Sequence, residues 1–454
     1  MAKVKAIYVC QQCGYQVVKW LGRCPGCQEW NTLVEELAAD AWDRSDATVE
    51  EAQPVLLPNV TLDETIRLAS GLAEFDRVLG GGIVPSSVTL VGGEPGIGKS
   101  TLLLSIAGSL ATSGKGVLYV SGEESLQQTK LRAMRLGYSS CPVHLLAHTQ
   151  LEGIVEAIHR LKPQVIVIDS IQVIETSVLG SAPGSIGQVR ACAHELVRLV
   201  KEGPSALFLV GHLTKEGYLA GPKVLEHLVD TVLYFEGDST SGFRLLRSTK
   251  NRFGATHELG VFHMTSEGLV EVSNPSELFL SRRTEDVAGC MVTVSLEGSR
   301  PLLVEVQALT SPCGIGLPRR RTSGVDGNRL SMLIAVLEQR VGLNRLAQED
   351  VFVSSLAGLR LLEPSADLGI AIAIASSLKG RPTRRTDVAI GEVGLTGEVL
   401  PVVNVVQRLH EAKRVGFQRC FMAAHRELSP VEGIEIVPIR HLSEAVEEAL
   451  RSKS

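Results

Sequence analysis

Gly93-Glu94-Pro95-Gly96-Ile97-Gly98-Lys99-Ser100, followed by Thr101, is the stretch from which the fold of this chain is deduced. It matches the pattern G-x-x-x-x-G-K-[ST], in which glycines let backbone N–H groups surround a phosphate. Lys99 is expected to reach the β- and γ-phosphates, and Ser100 to hold Mg²⁺. An apolar strand precedes the stretch at 88–92, and a helical pattern follows at 101–110, so a helix dipole would face the phosphates. We therefore predict that residues 93–101 bind a nucleotide and are not merely a glycine-rich turn.

Short apolar runs alternate with helical patterns from residue 61 to about 275. Val165–Ile168 is continuously apolar, which is typical of a strand buried on both faces. Residues 116–120, 142–146 and 206–211 are further predicted strands. This alternation predicts an α/β fold with a doubly wound parallel sheet.

Four polar residues follow the predicted strands: Glu123, Glu124, Asp169 and His212. Ligands of such sheets bind outside the carboxyl ends of the strands, so these side chains are expected beside the phosphate loop. Asp169 is predicted to help Ser100 hold Mg²⁺, and Glu123 to polarise the attacking water, with Glu124 as the competing candidate. The alternative for the acids is a helix N-cap or a surface charge. His212 either senses the γ-phosphate or is a polar strand end.

A predicted hairpin, strands 231–235 and 243–247, leads into Lys250-Asn-Arg-Phe-Gly254. Residues two apart on an extended segment point the same way, so Lys250 and Arg252 could reach one phosphate. An arginine supplied to the nucleotide of a neighbouring subunit would stabilise charge in the transition state, which requires an oligomer. The alternative is a solvated basic turn.

Cysteines are paired near the start of the chain, as Cys10-x-x-Cys13 and Cys24-x-x-Cys27. Two such pairs fit tetrahedral Zn²⁺, and the metal would supply folding energy to a segment that has no core of its own. Four thiolates leave no open coordination position, so the zinc is predicted to be structural. Trp20 and Trp30 are expected to cover it. The alternative, a pair of redox dithiols, lacks the βαβ context it would need.

The length, net charge and cysteine count of the chain limit its possible classes. The 454 residues predict about two to four domains. A net charge of −5 means that any nucleic-acid binding must come from local patches. No apolar run reaches the ~18 residues of a membrane span, and the start lacks the apolar core of a signal peptide, so a cytoplasmic location is expected. Nine cysteines, four of them clustered, indicate metal binding and reduced thiols and argue against a disulfide framework.

The four-cysteine module, GGEPGIGKST at 92–101, SGEES at 121–125 and KNRFG at 250–254 together resemble the bacterial RadA (Sms) family of DNA repair proteins. KNRFG is a signature of that family, and the resemblance covers nearly the whole chain. It implies a RecA-like core, similar to the DnaB-type helicases, that hydrolyses ATP with Mg²⁺ in a DNA-dependent manner. It also implies a hexameric ring that binds single-stranded and branched DNA and works with RecA on recombination intermediates.

Two glycine-rich loops, at 171–190 and 213–225, follow strands of the predicted sheet. In ring or filament ATPases such loops face the axis where DNA lies. The alternative is a mobile lid over the substrate.

Residues 285–454 resemble the proteolytic domain of Lon. Glu363-Pro-Ser-Ala-Asp-Leu fits the stretch that carries the Lon serine nucleophile, which places it at Ser365. Residues 391–401 fit the segment before the catalytic lysine, but the lysine itself is missing, and its place falls on Val406 or close by. A serine without a basic partner is a poor nucleophile, so this α+β domain is predicted to build the ring without proteolysis.

The predicted organisation is a zinc module at 1–37, an acidic linker at 38–60, a RecA-like ATPase domain at 61–280 and the Lon-like domain at 285–454. The leading functional hypothesis is an ATP-driven DNA remodeller. A nucleotide-gated regulatory scaffold is the first alternative, and an ATP-dependent protease is the second. Basic residues of the last domain either track DNA phosphates or form a solvated face: Arg319–Arg321, Lys379, Arg381, Arg384 and Arg385.

Overall fold

The structure is a computed structural model. It describes residues 6–10, 15–30, 32–37, 56, 67–212, 224–237, 242–272, 274–281, 285–314, 316–424 and 431–451. Predicted features at Cys13, in nearly all of the linker 38–60 and in the loop 213–223 lie outside these residues. The chain divides into two compact units, residues 1–272 and 273–454.

The first unit begins with a small antiparallel sheet that carries the cysteines. Its strands are β1 (Ala6–Cys10), β2 (Gln16–Val17) and β3 (Leu33–Leu37). Strand β1 lies in the middle, with Tyr8 opposite Val17 on one side and Glu35 on the other.

A nine-stranded sheet follows in the same unit. Its strands are β4 (Val88–Gly93), β5 (Val117–Ser121), β6 (His144–Ala147), β7 (Val165–Asp169), β8 (Ala206–His212), β9 (Thr231–Glu236), β10 (Phe243–Asn251), β11 (Leu259–Thr265) and β12 (Gly268–Glu271). The order is β12-β11-β10-β9-β4-β8-β7-β5-β6. Strands β9 to β6 in this order are all parallel, which confirms the predicted parallel sheet. Strands β10 to β12 extend it in antiparallel fashion, starting with the predicted hairpin.

Helices cover both faces of this sheet. They are α1 (Ala73–Leu79), α2 (Lys99–Thr112), α3 (Leu126–Arg135), α4 (Leu151–Leu161), α5 (Ile186–Lys201) and α6 (Val224–Leu228). Phe75 and Leu103, from α1 and α2, pack on one face, and Ile154 and Leu196, from α4 and α5, pack on the other. Burial on both faces explains why the central strands are continuously apolar.

The second unit is built on a seven-stranded sheet of order β15-β16-β14-β13-β17-β20-β21. Its strands are β13 (Cys290–Glu297), β14 (Arg300–Pro312), β15 (Arg320–Ser323), β16 (Glu349–Ser355), β17 (Asp387–Ile390), β20 (Arg419–Ala423) and β21 (Glu435–Ile439), with β18 (Glu392–Val393) and β19 (Val399–Leu400) as a separate pair. The helices are α7 (Gly327–Val341), α8 (Asp367–Lys379), α9 (Val405–Val415) and α10 (Leu442–Ala449). The short 3-10 segment Pro275–Phe279 belongs to this unit, and the Leu303 amide donates to the Ser276 hydroxyl at 3.3 Å. The predicted boundaries place this segment in the ATPase domain instead.

Candidate active site

The phosphate loop joins β4 to α2. Its tight turn depends on Gly98, whose φ is +118° and where an added Cβ would lie 2.8 Å from the Met264 Cε atom. Helix α2 begins at Lys99, so the unpaired N–H groups of its first turn adjoin the loop. The Lys99 Nζ atom donates to the carbonyl oxygens of Gly93 at 2.8 Å and Glu94 at 2.9 Å. The ammonium is thus held against the loop that is predicted to bind phosphate.

Three carboxylates influence this lysine. Burial lowers the pKa of Lys99 to about 8, and the negative charges of Asp169, Glu123 and Glu94 oppose that shift. Asp169 ends β7 and pairs with Ser121, the last residue of β5, so the two strand ends lie side by side. The fold therefore brings Lys99, Glu123 and Asp169 together at one edge of the sheet, where the sequence predicts a nucleotide site.

Tyr119 is a member of this cluster that sequence analysis does not single out. Its buried hydroxyl donates to the Asp169 Oδ2 atom at 2.5 Å. Burial and the charge of Asp169 raise the pKa of Tyr119 well above its usual range, so the hydroxyl keeps its proton and remains a donor. One carboxylate oxygen of Asp169 is oriented in this way. Tyr119 lies two residues before Ser121 on β5, and residues two apart on a strand point to the same face. This spacing is the sequence signal that could have placed Tyr119 in the cluster.

The two adjacent glutamates have different partners. Glu124 forms an ion pair with Arg132 of α3, and its backbone bonds the Ser121 hydroxyl at 2.9 and 3.1 Å. The Glu123 Oε1 atom instead accepts from the Ser170 hydroxyl at 2.5 Å, next to Asp169. Glu123 and not Glu124 is among the charges that act on Lys99. Of the two candidates for the base, Glu123 is thus the one beside the phosphate loop.

His212 is paired through its backbone with Gly93, so the end of β8 adjoins the phosphate loop. The position of its side chain lies outside the described part of the structure. The choice between a γ-phosphate sensor and a polar strand end therefore remains a prediction.

Lys250 lies at the edge of the large sheet opposite the phosphate loop. Lys250 pairs with Val232 near the start of β9, and its Nζ atom donates to the carbonyl oxygens of Glu226 at 2.6 Å and Val229 at 2.7 Å. Because β9 runs parallel to β4, this is the edge where β4 begins, opposite the phosphate loop at its end. Lys250 therefore lies away from the phosphate loop of its own chain.

Arg252 lies at the same edge as Lys250 but has a different partner. Its guanidinium contacts the Asp230 Oδ1 atom at 3.3 Å and is 62% exposed. The motif ends at Gly254, which packs so closely on Gly80 that an added Cβ would lie 2.8 Å from the Gly80 Cα atom. Burial and the neighbouring charge of Arg252 lower the pKa of Lys250, so the two cations lie close together, and the expectation that both reach one phosphate stays a prediction.

Three of the four predicted zinc ligands meet in the small sheet. The Sγ atoms of Cys10, Cys24 and Cys27 lie within 4.8 Å of one another, with 3.6 Å between Cys10 and Cys27. Three converging thiols fit the tetrahedral coordination of Zn²⁺. Trp20 and Trp30, which were expected to cover the site, are 54% and 67% exposed. The apolar residues that pack with the cysteines are Leu33, Tyr8 and Val17.

Ser365 of the second unit is buried and has a basic neighbour. Its hydroxyl donates to Glu363 Oε2 at 2.9 Å and accepts from the Arg408 Nη1 atom at 3.1 Å. Arg408 is fully buried, pairs with Glu363, and also donates to the carbonyl oxygens of Val294 at 2.5 Å and Val403 at 3.0 Å.

Arg408 lies close to the predicted place of the missing Lon lysine, which was Val406 or close by. Val406 itself is 45% exposed, whereas Arg408 of the same helix faces Ser365. The buried residues of α9 are Val405, Arg408, Leu409 and Ala412. This helical spacing predicts that position 408 faces inward. The serine has a cationic partner after all, but a guanidinium does not lose its proton in proteins.

Profiles of known families match three parts of the chain. They are a rubredoxin metal binding domain at 8–35, an AAA domain at 51–218 and the Lon protease (S16) C-terminal proteolytic domain at 348–452. A solved structure of a KaiC-like protein from Pyrococcus horikoshii aligns with 45% of this chain and 98% of its own, at 18% identity and a TM-score of 0.39.

Similar proteins extend over the full chain. The DNA repair protein RadA of Bacillus subtilis is 48% identical over 99% of this chain and all of its own length. The chain belongs to the RadA family of DNA repair proteins. RadA of Listeria monocytogenes is 47% identical with the same coverage, and RadA of Halalkalibacterium halodurans is 50% identical over 92% of both chains.

Membership of the RadA family and the matched AAA domain confirm the predicted enzyme class. The protein is an ATP hydrolase that uses ATP and Mg²⁺, and its cysteine module binds Zn²⁺. The resemblance deduced from KNRFG, the phosphate loop and the cysteines is thereby confirmed. Among the described helices, none combines the length and the apolar character that crossing a bilayer requires.

Proposed function

We propose that this RadA-family protein is a DNA-dependent ATPase that acts on single-stranded and branched DNA during recombinational repair. The observation that carries the proposal is the meeting of Lys99, Glu123 and Asp169 at the phosphate loop of a chain whose relatives are DNA repair proteins. The cytoplasm, as the compartment that holds bacterial DNA, is the proposed location.

Each residue of the site has a proposed part in the hydrolysis. Residues 93–101 bind the phosphates, with Lys99 at the β- and γ-phosphates. Bound Mg²⁺, held by Ser100 and by Asp169, would neutralise charge on the phosphates. Glu123 takes a proton from the water that attacks the γ-phosphorus. The bond from that phosphorus to the bridging oxygen breaks, and ADP and phosphate leave.

Lys250 and Arg252 are proposed to act between subunits. They lie at the edge of the sheet opposite their own phosphate loop, so in a head-to-tail ring they would be offered to the nucleotide of a neighbour. The exposed guanidinium of Arg252 suits such a role, because it would have to leave Asp230 for the neighbour's γ-phosphate. We propose a hexamer that works with a RecA-type recombinase.

The Lon-like domain is proposed to be non-proteolytic. Activation of a serine needs a free base, and Arg408 cannot serve as one. The Glu363 carboxylate that accepts from the Ser365 hydroxyl is itself paired with Arg408, which stabilises its ionised form. The partners of this arginine are a carboxylate, two backbone carbonyls and the serine itself, which is the environment of a structural cation. The domain would then build the ring.

The test is the rate of ATP hydrolysis as a function of single-stranded DNA concentration, together with the particle size in solution. Stimulation by DNA supports the motor, and a rate that ignores DNA supports the regulatory scaffold. Lys99→Ala serves as the control without phosphate-loop function. Degradation of casein by the wild-type protein, measured in parallel, would overturn the non-proteolytic assignment.

A further inference from the structure

The residues that follow β7 contact the proposed base directly. Ser170 is fully buried, and its hydroxyl donates to Glu123 Oε1 at 2.5 Å. Glu123 lies in the turn after β5, so the bond joins two separate connections of the sheet. A glutamate side chain loses rotational freedom when it is fixed in one position. The bond to Ser170 contributes to that fixation, and it engages only one of the two carboxylate oxygens.

A second contact holds the backbone of the same turn. The Gly122 amide donates to the Asp169 carbonyl oxygen at 2.8 Å. A Cβ atom added to Gly122 would lie 2.2 Å from the Val173 Cγ2 atom, so the turn and the β7–α5 connection fit without room for a methyl group. Gly122 is not among the residues with positive φ, so the obstacle to alanine is Val173 alone and not the backbone conformation.

The connection is itself anchored to α5. The Thr176 amide donates to the Gln188 side chain at 2.9 Å, and the Gln188 amide nitrogen donates back to the Thr176 carbonyl oxygen at 3.2 Å. Gln188 is buried, so these bonds are shielded from water. The Cys192 thiol of α5 also donates to the Ile174 carbonyl oxygen at 3.6 Å. Residues 170–174, here named the root segment, are therefore held between α5 and the turn that bears Glu123.

We infer that the root segment positions the Glu123 carboxylate for hydrolysis, through the Ser170 hydroxyl and through the contact of Val173 with Gly122. Ser170 is a positioning residue, since the group it acts on is Glu123. The inference rests on the proposed role of Glu123 as the base. It predicts that the two contacts determine turnover and leave nucleotide binding unchanged, because binding depends on residues 93–101.

Ser170→Ala tests the first contact. A misplaced general base costs roughly 10- to 100-fold in rate, so kcat should fall by that factor with and without DNA. KM and the Kd of a fluorescent non-hydrolysable ATP analogue should stay within about twofold of wild type. Ser170→Thr, which keeps the hydroxyl, should retain more of the turnover than Ser170→Ala.

Gly122→Ala and Val173→Ala test the second contact independently of Ser170. Gly122→Ala should lower kcat, because the new methyl group displaces the turn. Adding Val173→Ala removes the Cγ2 atom that it meets and should restore turnover towards that of Val173→Ala alone. All variants are studied as the full chain, and thermal unfolding verifies that each is folded.

The outcomes separate this inference from the proposed function. If Glu123→Gln is inactive but Ser170→Ala and Gly122→Ala turn over like wild type, the positioning role is wrong and the ATPase assignment stands. If Ser170→Ala loses analogue binding together with turnover, its role is structural and the inference is also wrong. Wild-type turnover in Glu123→Gln would refute the base and the inference together.

Discussion

Arg408→Ala should destabilise the second unit through loss of a buried cation. Arg408 is fully buried and paired with Glu363, whose side chain is 24% exposed. Removing one partner of a buried ion pair costs about 3 kcal/mol at the low end, the value suited to a partly exposed carboxylate. The two side-chain methylenes that alanine lacks add about 1.6 kcal/mol of lost burial. The free energy of unfolding of residues 273–454 should therefore fall by about 4–5 kcal/mol.

The measurement is scanning calorimetry on the full chain. For a unit of this size, 1 kcal/mol corresponds to about 2–4 °C, so the Tm of the second unit should fall by roughly 8–20 °C. A non-hydrolysable ATP analogue stabilises only the folded unit that binds it, which raises the transition of the first unit and so identifies that of the second.

Arg451→Ala is the matched control in the same unit. Arg451 is 71% exposed and pairs at 3.0 Å with Glu448, which is 34% exposed, and such surface pairs contribute ~0–1 kcal/mol. Arg408→Lys keeps the charge but loses bonds to Val294 and Val403, so its Tm should lie between those of wild type and Arg408→Ala. If Arg408→Ala shifts the Tm no more than Arg451→Ala does, the buried cluster does not stabilise the unit and the reasoning fails.

Three further predictions concern the first unit. Because the pKa of Lys99 is lowered to about 8, most of its ammonium form is lost as the pH rises from 7 to 9. The affinity for the ATP analogue should therefore fall about tenfold. Equal Kd values at pH 7 and pH 9 would contradict this. Arg252→Ala should lose turnover and regain part of it when mixed with wild-type subunits, and a mixture without rescue would exclude action across subunits. Cys24→Ser should lose zinc, and a metal content equal to wild type, measured by mass spectrometry, would argue against the thiolate site.

Much of the first unit could be predicted because its signals are local. The phosphate loop requires glycines at set positions between a strand and a helix, and the structure places it between Val88–Gly93 and Lys99–Thr112. Strands buried on both faces read as apolar runs, and the residues at their ends fall at one edge of the sheet. Helix α1 (Ala73–Leu79) ends at Gly80, which adopts the left-handed conformation.

Other assignments depend on partners far away in the sequence. Glu123 bonds Ser170, which follows β7, whereas Glu124 pairs with Arg132 of α3, and these partners distinguish the two glutamates. The edge at which Lys250 lies depends on β10 folding back along β9, including a register shift between Ser248 and Lys250. No local pattern reports such contacts, because they arise when separate elements pack together.

Sequence by itself determined the phosphate loop, the parallel sheet, the cysteine module and the family, since each depends on the spacing of neighbouring residues along the chain. Only the tertiary structure decided that Arg408 rather than Val406 faces Ser365, and that Lys250 and Arg252 lie away from their own nucleotide site. The physical reason is that a side chain's partners are set by the phase of its helix and the register of its strand within the packed core.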